Sequence, residues 1–391
     1  MKQSAFFLIY LISLLTLAGC CPAQPAVKVG LQTSEPFPVE TTLPTQTITV
    51  FIATEERVAP TPTAKPFVVP SIDPLTGLAP ESPERLNRRP VIIKVENLPR
   101  NHRPQYGLSF ADLVYEYHTE EGTTRYAGVF YGRNSEKVGP IRSGRWFDIN
   151  LIQMYKAFFI FGSAYEKLLT NLFHSDFSDR LILEGPGTAA LLKRYDPNGK
   201  NLLLANLNSM PEIINSYQMD NSPQPLDGMN FDPNPPQQGQ SAKQIFVRYS
   251  GAIYNRWDYD PASGRYQRFV DVQDDVNRNN EVYTPMLDQQ TGQQIAADNV
   301  VMILARNFIV DPNVYNVDLS GSQEAYLARN GQIFKVKWQR LNDDAVLTLV
   351  DALGKPVPFK PGTTWFEILS LPAPITRPGE GSWRFSFIMP E

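Results

Sequence analysis

The stretch ADLVYEYHTEEGTTRYAGVFY, residues 111–131, decides the fold of the globular part of this chain. Its two ends, Ala111–Tyr117 and Tyr126–Tyr131, are rich in β-branched and aromatic residues and predict two strands. The polar segment Glu120–Thr124 predicts the turn between them. Side chains two positions apart on a strand share a face, so Asp112 and Glu116 are expected on the same side of the first strand.

Short apolar runs on either side of this stretch predict further strands and several helices. The expected elements of the first half are strands at residues 90–95 and 158–161 and helices at 143–155, 163–173, 188–195 and 210–217. After the proline-rich residues 220–240, strands are expected at 244–249, 252–259, 265–270, 299–305, 324–328, 333–340, 346–350 and 364–368. The pattern predicts an α+β chain in which the second half is mostly β.

The first 20 residues have the three parts of a bacterial lipoprotein signal peptide. Lys2 precedes an uncharged apolar run at residues 5–18, which is shorter than the roughly 20 residues a membrane-spanning helix needs. The run ends in Leu17-Ala18-Gly19-Cys20, which looks like a lipobox. We therefore expect a lipid, palmitate included, on Cys20. The alternative is an ordinary secreted protein with two incidental cysteines.

Residues 21–72 are rich in proline and threonine and predict a tether between the lipid and the folded body. Such a chain would reach on the order of 40 Å. Thr47–Ala53 is the alternative within it, because its β-branched residues are typical of an edge strand. The folded part is expected as two domains, residues 73–225 and 240–391.

Composition excludes several classes of function. The two cysteines are adjacent, at positions 20 and 21, so the body has no disulfide, cysteine nucleophile or thiolate metal site. A net charge of −4 with intermixed signs does not indicate a nucleic-acid partner. No spacing of the three histidines predicts a metal site, and no phosphate loop or nucleophile elbow occurs, so we expect no metal and no cofactor.

The densest charge pattern lies in residues 99–148. The string VGPIRSGR, residues 138–145, places two arginines around Ser143 at an expected helix start, where backbone N–H groups favour anions. The candidate ligand-binding residues are Arg103, Arg125, Arg142, Ser143, Arg145, Asp112, Glu116 and Glu120. Two readings stand: the arginines bind an anionic ligand, or they pair with Asp112, Glu116 or Asp148 and clamp the fold.

These strings resemble the YerB-like envelope lipoproteins, a two-domain family of uncharacterised function. The resemblance is carried by residues 74–78, 89–91, 103–116, 124–126, 138–145, 249–251, 291–292, 298–301, 321–325 and 361–365. It implies a layered α/β N-terminal domain and a smaller, mostly-β C-terminal domain. The chain departs from the family at Glu121, where relatives have glycine, and at Met286-Leu287, where relatives tend to have a histidine.

The leading hypothesis is a non-catalytic lipoprotein on the extracytoplasmic face of the cell membrane, held there through Cys20. Its first domain would bind an anionic envelope ligand, such as a cell-wall component, or a partner protein. The rival hypothesis is a cell-wall or polysaccharide hydrolase that uses Glu120 or Asp112. A third possibility is a scaffold whose C-terminal domain docks a protein.

Overall fold

A computed structural model describes residues 68–390 of the chain. The predicted signal peptide, Cys20, the strand predicted at Thr47–Ala53 and most of the predicted tether lie outside the described residues. The α-helices of the described part are α1 Trp146–Tyr155, α2 Glu166–Phe173 and α3 Met210–Tyr217. No helix in this part of the chain is long and apolar enough to cross a membrane.

The strands alternate with these helices in the first half and dominate the second. They are β1 Val91–Glu96, β2 Leu113–His118, β3 Thr124–Phe130, β4 Phe158–Ile160, β5 Leu181–Ile182, β6 Leu192–Tyr195, β7 Leu202–Ala205, β8 Gln240–Ser241, β9 Gln244–Arg248, β10 Tyr254–Asp260, β11 Arg265–Asp271, β12 Tyr283–Pro285, β13 Ala296–Ala297, β14 Asn299–Asp311, β15 Val314–Asp318, β16 Gly321–Arg329, β17 Gln332–Arg340, β18 Thr348–Val350, β19 Thr364–Ser370, β20 Ile375–Gly379 and β21 Ser382–Ser386.

One large sheet runs through both halves of the chain, in the order β18-β17-β16-β14-β19-β2-β3-β1-β4-β5. The predicted hairpin of residues 111–131 forms β2 and β3 near its middle, with Leu113 opposite Val129. Next to it, β19 pairs in parallel with both β2 and β14. Strands on both sides of residues 220–240 therefore share one sheet, and the predicted domain boundaries stay a prediction.

A second sheet, in the order β12-β11-β10-β9-β21-β20, comes entirely from the second half. The middle of the large sheet is covered on both faces, which explains why β1, β2 and β19 are buried at every position. One face packs with α1 and α2, through residues such as Phe147 and Leu168. The other face packs with the second sheet, through residues such as Trp365 and Trp257. The predicted α+β fold class is confirmed.

The prediction of a helix at Thr188–Tyr195 is wrong. The chain makes one 3-10 turn at Pro186–Thr188 and then β6, which pairs with β7. Leu191 and Leu192 are adjacent and both buried. Pairing with β7 supplies the backbone hydrogen bonds of Leu192–Tyr195. This pairing, rather than the local sequence, decides the structure of the segment.

Between the two sheets lies a fully buried cluster of one arginine and two glutamates. Glu116 of β2 and Glu367 of β19 are directly opposite in the register and project from the same face. Arg268 of β11 donates to both, at 2.9 Å to Glu367, and none of the three side chains is exposed. The guanidinium carbon lies 4.2 Å from the centre of the Trp365 ring. This triad joins the two sheets.

Further donors complete the triad. Trp257 Nε1 donates to Glu367 at 2.9 Å, and the Tyr249 hydroxyl donates to the same carboxylate at 3.0 Å. Burial raises the pKa of Glu116 to about 7. The charge of Arg268 opposes this shift, and the neighbouring carboxylate of Glu367 adds to it.

Replacing Arg268 is the sharpest test of this cluster. We expect Arg268→Met to reduce the free energy of unfolding by about 3–5 kcal/mol, because it leaves two buried carboxylates without a cation. Urea unfolding of the full-length chain in detergent measures the change.

The matched control is the triple variant Arg268→Met, Glu116→Gln, Glu367→Gln, which removes the charges together. We expect it to recover most of the lost stability. A single Arg268→Met variant as stable as the parent chain would show that the sheets do not depend on the triad.

Candidate functional site

The predicted arginine-rich corner forms where β1 ends, β3 begins and α1 begins. The alternation along each strand points Lys94 and Glu96 of β1, Tyr117 of β2 and Arg125 of β3 to the face that α1 covers. In the register, Glu96 is opposite Arg125, and Arg125 is opposite Tyr117. The sheet thus gathers these four polar side chains at one end of an otherwise apolar face.

The segment 138–145 runs along the end of β1 and leads into α1. The Glu96 N–H donates to the Pro140 carbonyl, and the Arg142 N–H donates to the Lys94 carbonyl, both at 2.9 Å. Gly139 has a φ of 150°, and a side chain there would lie 2.8 Å from the Leu203 carbonyl oxygen. The glycine therefore permits the close approach that turns the chain toward the helix.

Arg145 is the N-cap residue of α1, and Asp148 accepts a hydrogen bond from its backbone N–H at 2.7 Å. The first turn of the helix therefore carries its own carboxylate, which complements the helix dipole. The side chain of Arg145 turns back toward the sheet. It donates to the Gly144 carbonyl at 2.7 Å and to the carboxylate of Glu120.

Glu120 is the carboxylate that Arg125 and Arg145 share. Arg125 Nη2 lies 3.9 Å from Glu120, and its Nη1 donates to the Ser143 carbonyl at 2.8 Å. Burial acts to raise the pKa of Glu120, but the hydrogen bond and charge of Arg145 hold it below its usual value. Burial and the nearby Arg145 lower the pKa of Arg125 to about 10. Ser143 contributes its backbone carbonyl to this arrangement.

Arg142 is the exposed arginine of the corner. Its side chain is 50% exposed, whereas those of Arg125 and Arg145 are 15% and 13% exposed. Its Nε lies 3.4 Å from Glu96, which also contacts His102 at 2.5 Å. Burial raises the pKa of Glu96 in spite of these two neighbours. Arg142 thus has donors that face solvent.

A buried lysine lies beneath the corner. Lys94 has no exposed side-chain surface, contacts the Tyr117 hydroxyl and lies 3.4 Å from Asp148. Its Nζ is 3.8 Å from the centre of the Tyr117 ring. Burial lowers the pKa of Lys94 to about 7, and the charge of Asp148 opposes that shift. Sequence reasoning missed Lys94 and Glu96, although two charges alternating in the apolar strand VIIKVE were a visible signal.

Three predicted residues lie away from the corner. Arg103 contacts Asn97 and Asp271 on the side of the second sheet, where Nη1 is 3.1 Å from the Asp271 carboxylate. Glu116 belongs to the buried triad. The arginines do pair with carboxylates, as the clamp reading expected, but the partners are Glu96, Glu120 and Asp271. The predicted partners Asp112 and Glu116 were wrong for them.

Asp112 lies at the opposite end of β2 from Glu120. It accepts the backbone N–H groups of Tyr131 and Gly132 at 2.6 and 3.0 Å. The six residues of β2 lie between the two carboxylates, a separation of roughly 20 Å or more at the usual rise per residue. Glycosidase carboxylate pairs lie about 5–9.5 Å apart. Glu120 and Asp112 therefore do not form such a pair.

No group of three histidine, cysteine, aspartate or glutamate side chains within residues 68–390 has the geometry to hold a metal ion. The fold and the corner together define an α+β protein with an arginine-rich, carboxylate-paired corner at a helix start.

Two family models match the chain. The N-terminal domain of "Protein of unknown function (DUF3048)" matches residues 75–201, and the C-terminal domain of the same family matches residues 245–366. The chain belongs to this two-domain family, and the resemblance to YerB-like lipoproteins is confirmed.

A sequence match and a structural match to YerB of Bacillus subtilis extend the similarity over most of the chain. "Putative lipoprotein YerB" of Bacillus subtilis (strain 168) is 28% identical over an alignment of 327 residues, which covers 79% of this chain and 89% of that protein. The crystal structure of YerB protein from Bacillus subtilis matches with a TM-score of 0.63 and 24% identity, covering 76% of this chain and 96% of that chain. The structural match shows a shared fold.

The lowered pKa of Lys94 gives a test by pH. Above about pH 7 the folded chain should lose the Lys94 proton, while the unfolded chain keeps it until its ordinary pKa of 10.5. The unfolded state then binds more protons, so the free energy of unfolding should rise by about 1 kcal/mol per pH unit from this group. We expect Lys94→Met to lack that rise.

Urea unfolding of both chains between pH 7 and about pH 9 measures the difference, since other titrating groups are common to the two. Parallel pH profiles would contradict a deprotonated Lys94.

Proposed function

We propose that this chain is a lipoprotein on the extracytoplasmic face of the cell membrane that binds an anionic envelope ligand at its arginine-rich corner. The observation that carries the proposal is the half-exposed Arg142, which lies beside Arg125 and Arg145 at the start of α1. Guanidinium donors favour carboxylate and phosphate groups.

The anchor in this proposal is a lipid on Cys20. The lipobox-like Leu17–Cys20 string and the proline- and threonine-rich tether support it. The name of the Bacillus subtilis relative also describes a lipoprotein. A tether of this kind would let the folded body reach ligands in the wall a few tens of ångströms from the membrane.

Binding would begin at Arg142. Its partner Glu96 is buried, so the solvent-facing donors of Arg142 meet an incoming anion first. Arg125 and Arg145 are already paired with Glu120. A ligand carboxylate or phosphate would have to replace Glu120 to reach them, which makes Glu120 an internal competitor. The proposed site therefore consists of Arg142, Ser143, Arg125, Arg145 and Glu120.

The hydrolase hypothesis has less support from the same geometry. Glu120 is paired with two arginines that favour its charged form, whereas a general acid must hold a proton. Asp112 lies too far away to act as its partner. The corner is better suited to holding an anion than to transferring a proton.

Arg142→Ala tests the site directly. We expect about tenfold weaker binding of soluble peptidoglycan fragments, because one charge-assisted contact is lost. The measurement is isothermal titration with the full-length chain in detergent. The matched control is Arg194→Ala, which removes an equally exposed arginine of β6 (49% against 50%) that pairs with Glu184. Equal losses in both variants, or none in either, would refute the site.

Glu120→Gln tests whether Glu120 competes with the ligand for Arg125 and Arg145. Since this change frees Arg125 and Arg145 from their carboxylate, we expect tighter binding of the same fragments and a steeper dependence on salt. Unchanged or weaker binding in a folded Glu120→Gln chain would mean that the two arginines do not take part.

A further inference from the structure

A second concave site lies at the other end of β1. Arg88 and Arg89 precede β1, and Glu96 ends it, so this cleft is roughly 20 Å from the corner along the strand. Its volume is about 360 Å³, at the small end of the range for ligand sites. Its lining is mainly polar and includes Arg85, Asn87, Arg88, Asn134, Asn208 and Asn221.

Arg88 is a cation of this cleft that has only backbone carbonyls as partners. Its Nε donates to the Arg85 carbonyl at 3.0 Å, and its Nη2 donates to the Tyr131 carbonyl at 2.6 Å. Within residues 68–390 it forms no ion pair, and its Nη1 has no hydrogen-bond acceptor. Burial, together with the charge of Arg85, lowers the pKa of Arg88 to about 10. A desolvated guanidinium of this kind attracts an anion.

The neighbouring arginines differ in how far they are neutralised. Arg89 is fully engaged, with hydrogen bonds to Asp220 and to the Lys156 carbonyl at 2.9 Å. Arg85 lies 3.6 Å from Glu81 and is 31% exposed, so it keeps donors available to the cleft. Glu84 is the acid on the rim, and its side chain is fully exposed. Solvent screens Glu84 more than it screens Arg88.

Asparagines supply the remaining polar groups. Among the described residues, the Nδ2 groups of Asn87, Asn208 and Asn221 have no acceptor, so they add free donors to those of Arg85 and Arg88. Asn134 also lines the cleft. It is 8% exposed, its Nδ2 donates to Leu207 and Asn208, and its buried Oδ1 has no donor.

We propose that this cleft binds a small hydroxylated anion, a sugar acid or sugar phosphate of about one hexose unit. The carboxylate or phosphate would accept hydrogen bonds from Arg88 and Arg85. The free asparagine amides would donate to the ligand hydroxyls and to its other oxygens. The volume admits one such ring. This site is independent of the arginine-rich corner.

Isothermal titration of the full-length chain in detergent tests the proposal with four probes. Glucuronate and glucose 6-phosphate should bind saturably, and the two arms distinguish a carboxylate from a phosphate. Neutral glucose lacks the charge, and cyclohexanecarboxylate lacks the hydroxyls. Each should therefore bind at least about tenfold more weakly than the anionic sugars. Absence of saturable binding by both anions, or equal binding of glucose, overturns the proposal.

Variants locate the binding. Arg85→Gln and Arg88→Lys should each weaken binding of the preferred anion about tenfold, because a guanidinium donor pair is lost. Glu84→Gln should tighten it, since it removes the rim acid. Arg142→Ala, at the other end of β1, should leave it unchanged, which separates this site from the corner.

Arg88 supports the Tyr131 carbonyl, so its replacement can also affect folding. Arg85 has no hydrogen bond from its Nη groups within the described residues, so Arg85→Gln keeps the test valid if Arg88→Lys does not fold. Unchanged affinity in a folded Arg85→Gln chain, or equal loss in Arg142→Ala, overturns the placement.

Discussion

The structure depends on Arg268, which lies buried between the carboxylates of Glu116 and Glu367. Each glutamate belongs to a different half of the chain, yet β2 and β19 place them side by side. Two adjacent carboxylates in an apolar interior are unstable without a cation. Arg268 supplies it from the second sheet. Arg268 therefore links the parallel pairing of β2 with β19 to the packing of the two sheets.

That constraint reaches the candidate site through β2. Glu116 points from one face of this strand into the triad, while the next residue, Tyr117, points from the other face to Lys94 and Asp148. Asp148 in turn holds the start of α1 and the backbone of Arg145. The position of the arginine-rich corner is thus tied, within a few residues, to the interaction that holds the two sheets together.

Sequence reasoning predicted part of the site and missed the rest for identifiable reasons. The glycine-proline turn and helix start at residues 139–146 were visible locally, so the corner with Arg125, Arg142 and Arg145 was predicted. Glu116 was predicted as a partner for those arginines. Side-chain alternation along a strand shows which residues share a face, but it does not show which element packs against that face. The partner of Glu116, Arg268, is 152 positions away in the chain. No local sequence pattern indicated Arg88 as a candidate binding residue.

The sequence by itself determined the local features: the lipobox-like Cys20 string, the cysteine-free body, the hairpin of residues 111–131 and most strands and helices. These follow from residue type, spacing and turn chemistry, which act over a few positions. Only the tertiary structure decided that both halves share one sheet, that Thr188–Tyr195 yields a strand and which carboxylate each arginine contacts. Those outcomes depend on pairing between distant segments. A charged residue in an apolar strand requires a partner, but the local sequence does not identify which residue that partner is.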